Sequence, residues 1–286
     1  TDLGKADPRL RRFAEALVAA QFQVLVPELT SLTRFRVEAA NIDAVADAVA
    51  YLQTLPQPPG GRLGLVAISY AGGPAVLAAV GEASPAVDFV FCVGTYYDLT
   101  EAITFATTGW YRDHGELRYR PPLEAGRWLL LFGQSEQLAG PDGELLREIA
   151  RRRLQDPQAD VTALTTSLGE AGRAASALAN NRDPARVPAL IAALPESLQR
   201  EFRTLDLAEQ DLSGLKAELI LLHGRDDPMI PAEQSEALAS AVPNARVRLF
   251  LVNGLMHVDV QPGWRDALAL WQVAVALLEA RDGVNR

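Results

Sequence analysis

The sequence is poor in the residues that build metal centres, disulfide frameworks and nucleic-acid surfaces. Its 286 residues include one cysteine and three histidines. A single cysteine closes no internal disulfide, so a disulfide-stapled scaffold is excluded. Cys92 lies in the apolar run Phe89 to Val93, where a small thiol packs well, and it says nothing of redox compartment. Without an H-E-x-x-H or clustered cysteines no metal site is expected, and without a P-loop or G-x-G-x-x-G no nucleotide cofactor is indicated. Basic residues are outnumbered 27 to 36, for a formal charge of -9. That balance lacks the basic footprint a phosphate backbone requires, so no nucleic-acid partner is expected. No window reaches about 18 uninterrupted apolar residues, and Thr1 to Leu10 lacks the charged and apolar regions of a signal peptide. A soluble chain is expected, with the cytoplasm as its compartment. A signal or anchor upstream stays open, because the sequence opens on Thr1 rather than Met and enters a helical pattern at once.

What is present is enough apolar material, 49% of residues, to fill a sizeable core. Asp7 and Pro8 signal a first helix that runs on through Phe13, Leu17 and Val18 and ends near Ala20. Phe22 to Val26, stopped by Pro27, has the pattern of a buried parallel strand. A helix from about Val37 to Leu55 leads through a Pro/Gly-rich turn into Leu63 to Ile68, a second strand. Val87 to Val93, Leu219 to Leu222 and Val247 to Val252 supply three more, and the last helical pattern spans Trp264 to Leu278. Alternating strands and helices argue for an α/β fold, a mostly parallel sheet covered on both faces. Between the third and fourth strands, roughly Thr100 to Asp211 reads as helical nearly throughout, with only Leu129 to Phe132 able to pass for a strand. This is an inserted helical lid (100–211) on a core of residues 1–99 and 212–286. No internal repeat or linker points to an independent second domain.

Three places carry residues suited to chemistry. In Leu63-Gly-Leu-Val-Ala-Ile-Ser69-Tyr-Ala-Gly-Gly73 an apolar strand ends in a serine, and small residues open a helix. A sharp turn there lifts the serine clear of the sheet and brings strand and helix backbones too close for large side chains, which is the physical content of a nucleophile elbow. Ala67 and Ala71 stand where glycine is usual. The plainer reading is a serine that caps the helix beginning at Tyr70. In Leu219-Ile-Leu-Leu-His-Gly-Arg-Asp-Asp-Pro-Met-Ile-Pro231, a strand is followed by two acids at the sheet edge where open α/β folds place ligands. The plainer reading is a solvated turn in which Asp226 or Asp227 caps the next helix. In Phe250-Leu-Val-Asn-Gly-Leu-Met-His257, a last strand ends in a loop with a histidine. A lone histidine there is ordinarily structural, but the order Ser69, Asp227, His257, each just past a strand, is that of a Ser-acid-His triad.

On these residues the chain resembles the α/β-hydrolase superfamily, in particular the serine hydrolases with a helical lid, and the resemblance covers nearly the whole chain. His-Gly-Arg-Asp-Asp-Pro-Met-Ile-Pro is similar to the superfamily's acid turn, which selects Asp227 over Asp226, and Asn253-Gly-Leu-Met-His257 is similar to its histidine loop. Gly4-Lys-Ala-Asp-Pro-Arg-Leu10 resembles the segment after its oxyanion loop. The resemblance implies Ser69 as nucleophile, His257 as base and Asp227 as the acid that orients it, with the backbone N–H of Tyr70 as an oxyanion donor. The implied activity is that of an enzyme cleaving a small carboxylic ester through an acyl-serine. A thioesterase, peptidase or C–C hydrolase with the same triad stays open, as does a non-catalytic binding protein, which the broken elbow pattern favours. The resemblance also implies a strand ahead of the first helix, and the sequence has none. The second oxyanion donor would fall at or just before Thr1, and the sheet is expected to draw a strand from upstream residues or another chain.

Other residues have plainer expectations. His223 is read as a packing residue beside the acid turn, His114 as solvated, and Arg151, Arg152 and Arg153 as a solvated helix face. Tyr96, Tyr97, Trp110, Tyr111 and Trp128 either line an acyl pocket or pack the lid on the sheet. Substrate identity and oligomeric state are not encoded in any motif here.

Overall fold

The structure, a computed structural model, describes residues 3–57, 61–81, 84–138, 140–256, 259–260 and 264–284. Helix α1 (Pro8–Ala19) starts where its cap predicts: Asp7 Oδ1 accepts from the Arg9 N–H at 2.8 Å, and Pro8 takes the first helical position. A single turn, α2 (Thr30–Thr33), and α3 (Ala40–Thr54) follow, then β1 (Gly64–Ile68), α4 (Gly72–Val80) and β2 (Phe89–Val93). A long segment then holds α5 (Leu99–Thr108), β3 (Trp110–Asp113), β4 (Glu116–Tyr119), α6 (Glu124–Ser135), α7 (Pro141–Gln155), α8 (Thr162–Thr166), α9 (Glu170–Asn180), α10 (Val187–Ala192) and α11 (Glu196–Leu205). The chain closes with β5 (Glu218–Gly224), α12 (Glu233–Ala241), β6 (Val247–Val252), the short β7 (Leu255–Met256) and β8 (Asp259–Val260), and α13 (Trp264–Asp282).

Among the described residues the main sheet has four strands in the order β1-β2-β5-β6, every neighbouring pair parallel. Its side chains alternate between two cores. Val90 and Cys92 of β2 and Leu219 and Leu221 of β5 join Val49 of α3 and Val76 of α4. Phe89, Phe91, Ile220 and Leu222 join Val273 and Leu277 of α13, with Phe13 of α1 packed alongside. Cover on both faces is why β2 and β5 read as unbroken apolar runs rather than alternating ones. Each side chain so buried contributes roughly 1.5–3 kcal/mol relative to exposure. Burial alone pushes the Cys92 thiol up to about 12, which leaves it an inert packing group.

Three expectations are corrected. Residues 22–26 form no strand, because a ladder needs a neighbour and none of the described strands lies beside them. Leu129 to Phe132 lies inside α6, where its apolar side chains serve a helix. The long segment is not helical throughout: β3 and β4 pair as an antiparallel hairpin across His114 and Gly115, whose φ of 48° and 89° are the two positive values a tight two-residue turn needs. His114 is solvated at its tip, and Arg151 and Arg152 of α7 lie on an exposed face paired with Glu148 at 2.8 and 2.7 Å.

The long segment leaves and rejoins the sheet at one place. The Tyr96 hydroxyl donates to the Leu205 carbonyl at 2.8 Å, and the Leu99 and Ala208 N–H groups both donate to Asp206 Oδ1 at 3.1 Å. Burial, with Asp98 and Glu209 adding negative charge, pushes Asp206 up to about 6 against the lowering effect of those two N–H groups. An acid raised in the folded state holds its proton longer when folded. Its contribution is fully present below the ordinary value of 3.8 and is lost as pH rises through about 6. Asp206→Asn, which keeps the accepting oxygen, should therefore gain stability relative to the parent as pH rises from 4 to 6. Urea midpoints across that window measure it, and a pH-independent difference between the two would contradict the assignment.

Candidate active site

The first site residue is set by backbone geometry. β1 ends at Ile68, and Ser69 has φ of +59°, the left-handed region that costs a side-chain-bearing residue about 1–2 kcal/mol. A 3-10 turn, Ser69–Ala71, then carries the chain into α4. The turn is this tight because α4 is pressed against the loop after β2. A Cβ on Gly72 would stand 2.0 Å from Thr95 Oγ1, and one on Gly73 would stand 2.0 Å from Tyr96 Oη. The requirement for glycine has moved to these two positions, and Ala67 and Ala71 are small enough for theirs. Tyr70 packs on the buried Tyr96, ring centroids 5.6 Å apart. Burial, with the Asp227 charge nearby, raises its phenol well above the ordinary range.

The acid turn lies at the same edge of the sheet. Ile68, Val93 and Leu222 are level across β1, β2 and β5, so Ser69 and Asp227 both follow carboxyl ends of parallel strands. Asp227 is fully buried and Asp226 is exposed. Asp227 Oδ1 accepts from the Met229 N–H at 2.7 Å and the Ile230 N–H at 3.1 Å, which fixes the carboxylate's rotamer. His223, also fully buried, lies between Ser235 Oγ (2.7 Å from Nδ1) and the Ile230 carbonyl (3.0 Å from Nε2). A carbonyl can only accept, so Nε2 carries a proton and donates to it. His223 thus braces the turn, its Nε2 3.5 Å from Asp227 Oδ2.

His257 lies outside the described residues. The chain leading to it bends at Gly254, with φ of +71°, and passes over β5: the Leu255 carbonyl sits where a Cβ on Gly224 would be, 1.9 Å away. Glycine at 224 is what allows this crossing three residues before Asp227. The Asn253 N–H donates to Asp266 Oδ1 at 2.8 Å, anchoring the loop to α13.

Sequence reasoning missed two supports. Arg120, just after β4, donates to the Arg225 carbonyl at 2.8 Å and the Asp227 carbonyl at 3.3 Å, while its guanidinium stacks over Tyr111 at 4.8 Å. The Leu123 N–H adds a bond to the Pro228 carbonyl at 2.8 Å. The hairpin thereby clamps the acid turn, and the His-Gly pair at its tip was the signal for it. Gln234 Oε1 accepts from the Tyr97 and Asp98 N–H groups at 3.0 and 2.9 Å, fixing the loop after β2.

A cavity of about 1420 Å³ opens at Ser69 and Tyr70 and runs along the outer edge of β1, with Leu130 of α6, Phe202 of α11 and Met229 on its walls. Of the five aromatics considered for a pocket, Tyr96 lines it. Trp110 packs on Tyr119, Tyr111 on Phe105, and Trp128 lies under Arg153, so these three hold the long segment together. Among the described residues no cluster of histidine, cysteine or acids is placed to hold a metal ion, and no helix is long and apolar enough to cross a membrane.

Parallel sheet, helices on both faces and a serine on a left-handed turn after a strand make up the architecture of the α/β hydrolases. Solved structures similar to this chain are of that class. They include a meta-cleavage product hydrolase from Pseudomonas fluorescens IP01 (17% identity, 87% of this chain and 74% of that one, TM-score 0.39). Others are a serine hydrolase from Cycloclasticus zankles (13%, 84% and 72%, TM-score 0.39) and alpha/beta hydrolase domain-containing protein 10 from mouse (14%, 83% and 69%, TM-score 0.40). No family model and no curated protein matches the chain. At these identities and TM-scores the likeness carries no argument about chemistry, which rests on the site's own geometry.

The strain at Ser69 is directly measurable. Ser69→Gly should be more stable than Ser69→Ala by about 0.5–1 kcal/mol, because glycine alone enters the left-handed region without steric cost. Denaturant unfolding of the two variants tests this, and the reverse order would mean the turn is not left-handed in solution.

Proposed function

We propose that the protein is a serine hydrolase that transfers the acyl group of a small carboxylic ester to water through an acyl-serine intermediate. The observation that carries this reading is Ser69 on a left-handed turn at the carboxyl end of β1, at the same edge of the sheet as the turn after β5 that holds a buried, doubly hydrogen-bonded Asp227. One strand separates β1 from β5, so their backbones lie about 9.6 Å apart, a span suited to an imidazole between the two side chains.

Serine is a weak nucleophile at neutral pH and needs a base to remove its proton. His257 takes that role, and Asp227 holds the imidazole in the tautomer whose free nitrogen faces Ser69 Oγ. The Ser69 oxygen attacks the ester carbonyl, its proton passing to His257. The backbone N–H of Tyr70 donates to the oxyanion, a type of contact that contributes about 3 kcal/mol to the transition state. Collapse expels the alcohol, which takes the proton from His257, and water repeats the sequence on the acyl-serine. Residues 100–211 act as a lid over the serine, with α6 and α11 walling the acyl side of the cavity.

With short p-nitrophenyl esters as substrates, Ser69→Ala should lose several orders of magnitude in kcat with its unfolding curve unchanged. Near-parental turnover by this variant would remove Ser69 from the mechanism. Asp227→Asn, which keeps an oxygen for the Met229 and Ile230 amides but cannot fix the tautomer, should lower kcat by a factor on the order of 10⁴, as the comparable change does in another triad. Asp226→Asn, at an exposed position, should leave kcat within about twofold. The reverse ranking would shift the acid by one residue.

A further inference from the structure

Helix α13 is apolar all round. From Ala267 to Leu278 it carries no charged residue, and Gln272 is the one polar side chain in that stretch. One face is accounted for, since Val273, Ala276, Leu277 and Ala280 are buried in the core that holds Phe91 and Ile220. The outer side of a surface helix is ordinarily polar. Here it carries Leu268, 58% exposed, Trp271, 62% exposed, and the half-buried Val275 and Leu278. At 3.6 residues per turn these four fall within about 80° of one another around the axis, centred opposite the buried set, and run for about 15 Å along it. A single exposed leucine needs no explanation, but a contiguous row anchored by a tryptophan marks an interaction surface.

Charge and spacing select the occupant. A helix that lies on a membrane surface flanks its apolar stripe with lysine and arginine. α13 has no lysine, its Glu279 is held by Arg248, and its Arg281 is held by Asp282 and the Ala20 carbonyl. In a chain of formal charge -9, such a surface gains nothing from anionic lipid. The spacing fits a second copy. Steps of 3, 4 and 3 residues read the same from either end, so the row is complementary to itself about a two-fold axis at the level of residue 273. Antiparallel pairing then sets Leu268 against Leu278 and Trp271 against Val275, a large side chain facing a small one. The helix itself, Trp264–Asp282, is centred on the same residue, so the two copies overlap along their full length. Each Asp282 carboxylate, 48% exposed, comes to the positive end of the other helix, where negative charge is favoured. Parallel pairing would stack tryptophan on tryptophan and bring like helix ends together.

We propose that the outer face of α13 is a homodimer interface, across which a second copy of this chain lays its own α13 antiparallel about a two-fold axis. One helix pair is a small interface, below about 1,200 Å² in total, so the dimer is reversible and forms at micromolar concentration. None of the four residues lines the cavity at Ser69, and the inference is independent of the activity proposed above.

Sedimentation velocity of the protein from about 1 to 200 μM, the range in which an interface of this size dissociates, tests it beside two variants. Trp271→Lys places a charge on the row at an exposed position and should weaken the dimer at least tenfold, with an unchanged unfolding midpoint at concentrations where the parent is monomeric. The double variant Trp271→Cys with Val275→Cys should, on mild oxidation, give a covalent dimer in which mass spectrometry finds position 271 of one copy joined to position 275 of the other. Cys92 is fully buried and does not compete. Leu268→Cys alone should give no such dimer, because antiparallel pairing holds its two copies about 15 Å apart along the axis. Four results would overturn the proposal: a parent that stays monomeric throughout, a Trp271→Lys variant that dimerises as tightly as the parent, links that join 271 to 271 or 268 to 268, or a monomer that binds phosphatidylglycerol vesicles through Trp271. None of these readouts depends on turnover, so a failure here leaves the hydrolase reading standing, and the converse also holds.

Discussion

The approach of α4 to the loop after β2 governs the geometry of this molecule. Two glycines in succession, Gly72 and Gly73, let the helix backbone press against Thr95 and Tyr96 so closely that a Cβ at either position would stand 2.0 Å from a side-chain oxygen. With the helix held there and β1 fixed by its ladder to β2, the connection between them has three residues in which to turn. Ser69 absorbs the turn by taking φ of +59°. The left-handed serine is thus a result of packing, and the strain of about 1–2 kcal/mol persists because the surrounding contacts outweigh it. A side chain placed this way stands out from the sheet edge.

The acid turn meets a different physical problem, the burial of a carboxylate. Asp227 is fully buried, and an ion taken out of water must be compensated by donors aimed at it. Two backbone N–H groups from its own turn supply part of that compensation, His223 braces the same turn from below, and Arg120 holds its carbonyls from the hairpin of the long segment. The turn is therefore immobilised by β5, α12 and the β3–β4 hairpin together. An acid this constrained is suited to orienting an imidazole, where a misplacement of an ångström costs catalysis more than affinity does. The hairpin clamp also ties the long segment to the acid turn.

The parts of the fold legible in the sequence are those whose signal is local. β2 and β5 are buried on both faces, so composition alone marks them, and α1 carries its own cap in Asp7 and Pro8. The strand-to-helix passage at Ser69 was readable from its run of small residues even though Ala67 and Ala71 break the usual pattern. What was not legible depends on partners. Residues 22–26 have the same apolar composition as β1 yet form no strand, because the ladder that would define one belongs to two segments at once. Leu129 to Phe132 looks like a strand and is a helix, since a short apolar run fits either and α6 has a core on one side and a cavity on the other. The β3–β4 hairpin carries charges at Arg112, Asp113, Glu116 and Arg118 that mask its alternation, leaving His114 and Gly115 as its one local mark. Choosing Asp227 over Asp226 needed a resemblance, because the two adjacent acids differ in burial and not in residue type.

The proposed hydrolase requires that packing hold the Ser69 hydroxyl in a reactive position. Labelling with a fluorophosphonate, followed by digestion and mass spectrometry of the adduct, tests it most directly, since such a probe phosphonylates only an activated serine. The expected result is a single adduct on the peptide containing Ser69, formed at a rate that falls with Asp227→Asn. An intact, folded protein that takes no label, or takes it on another serine, would contradict it.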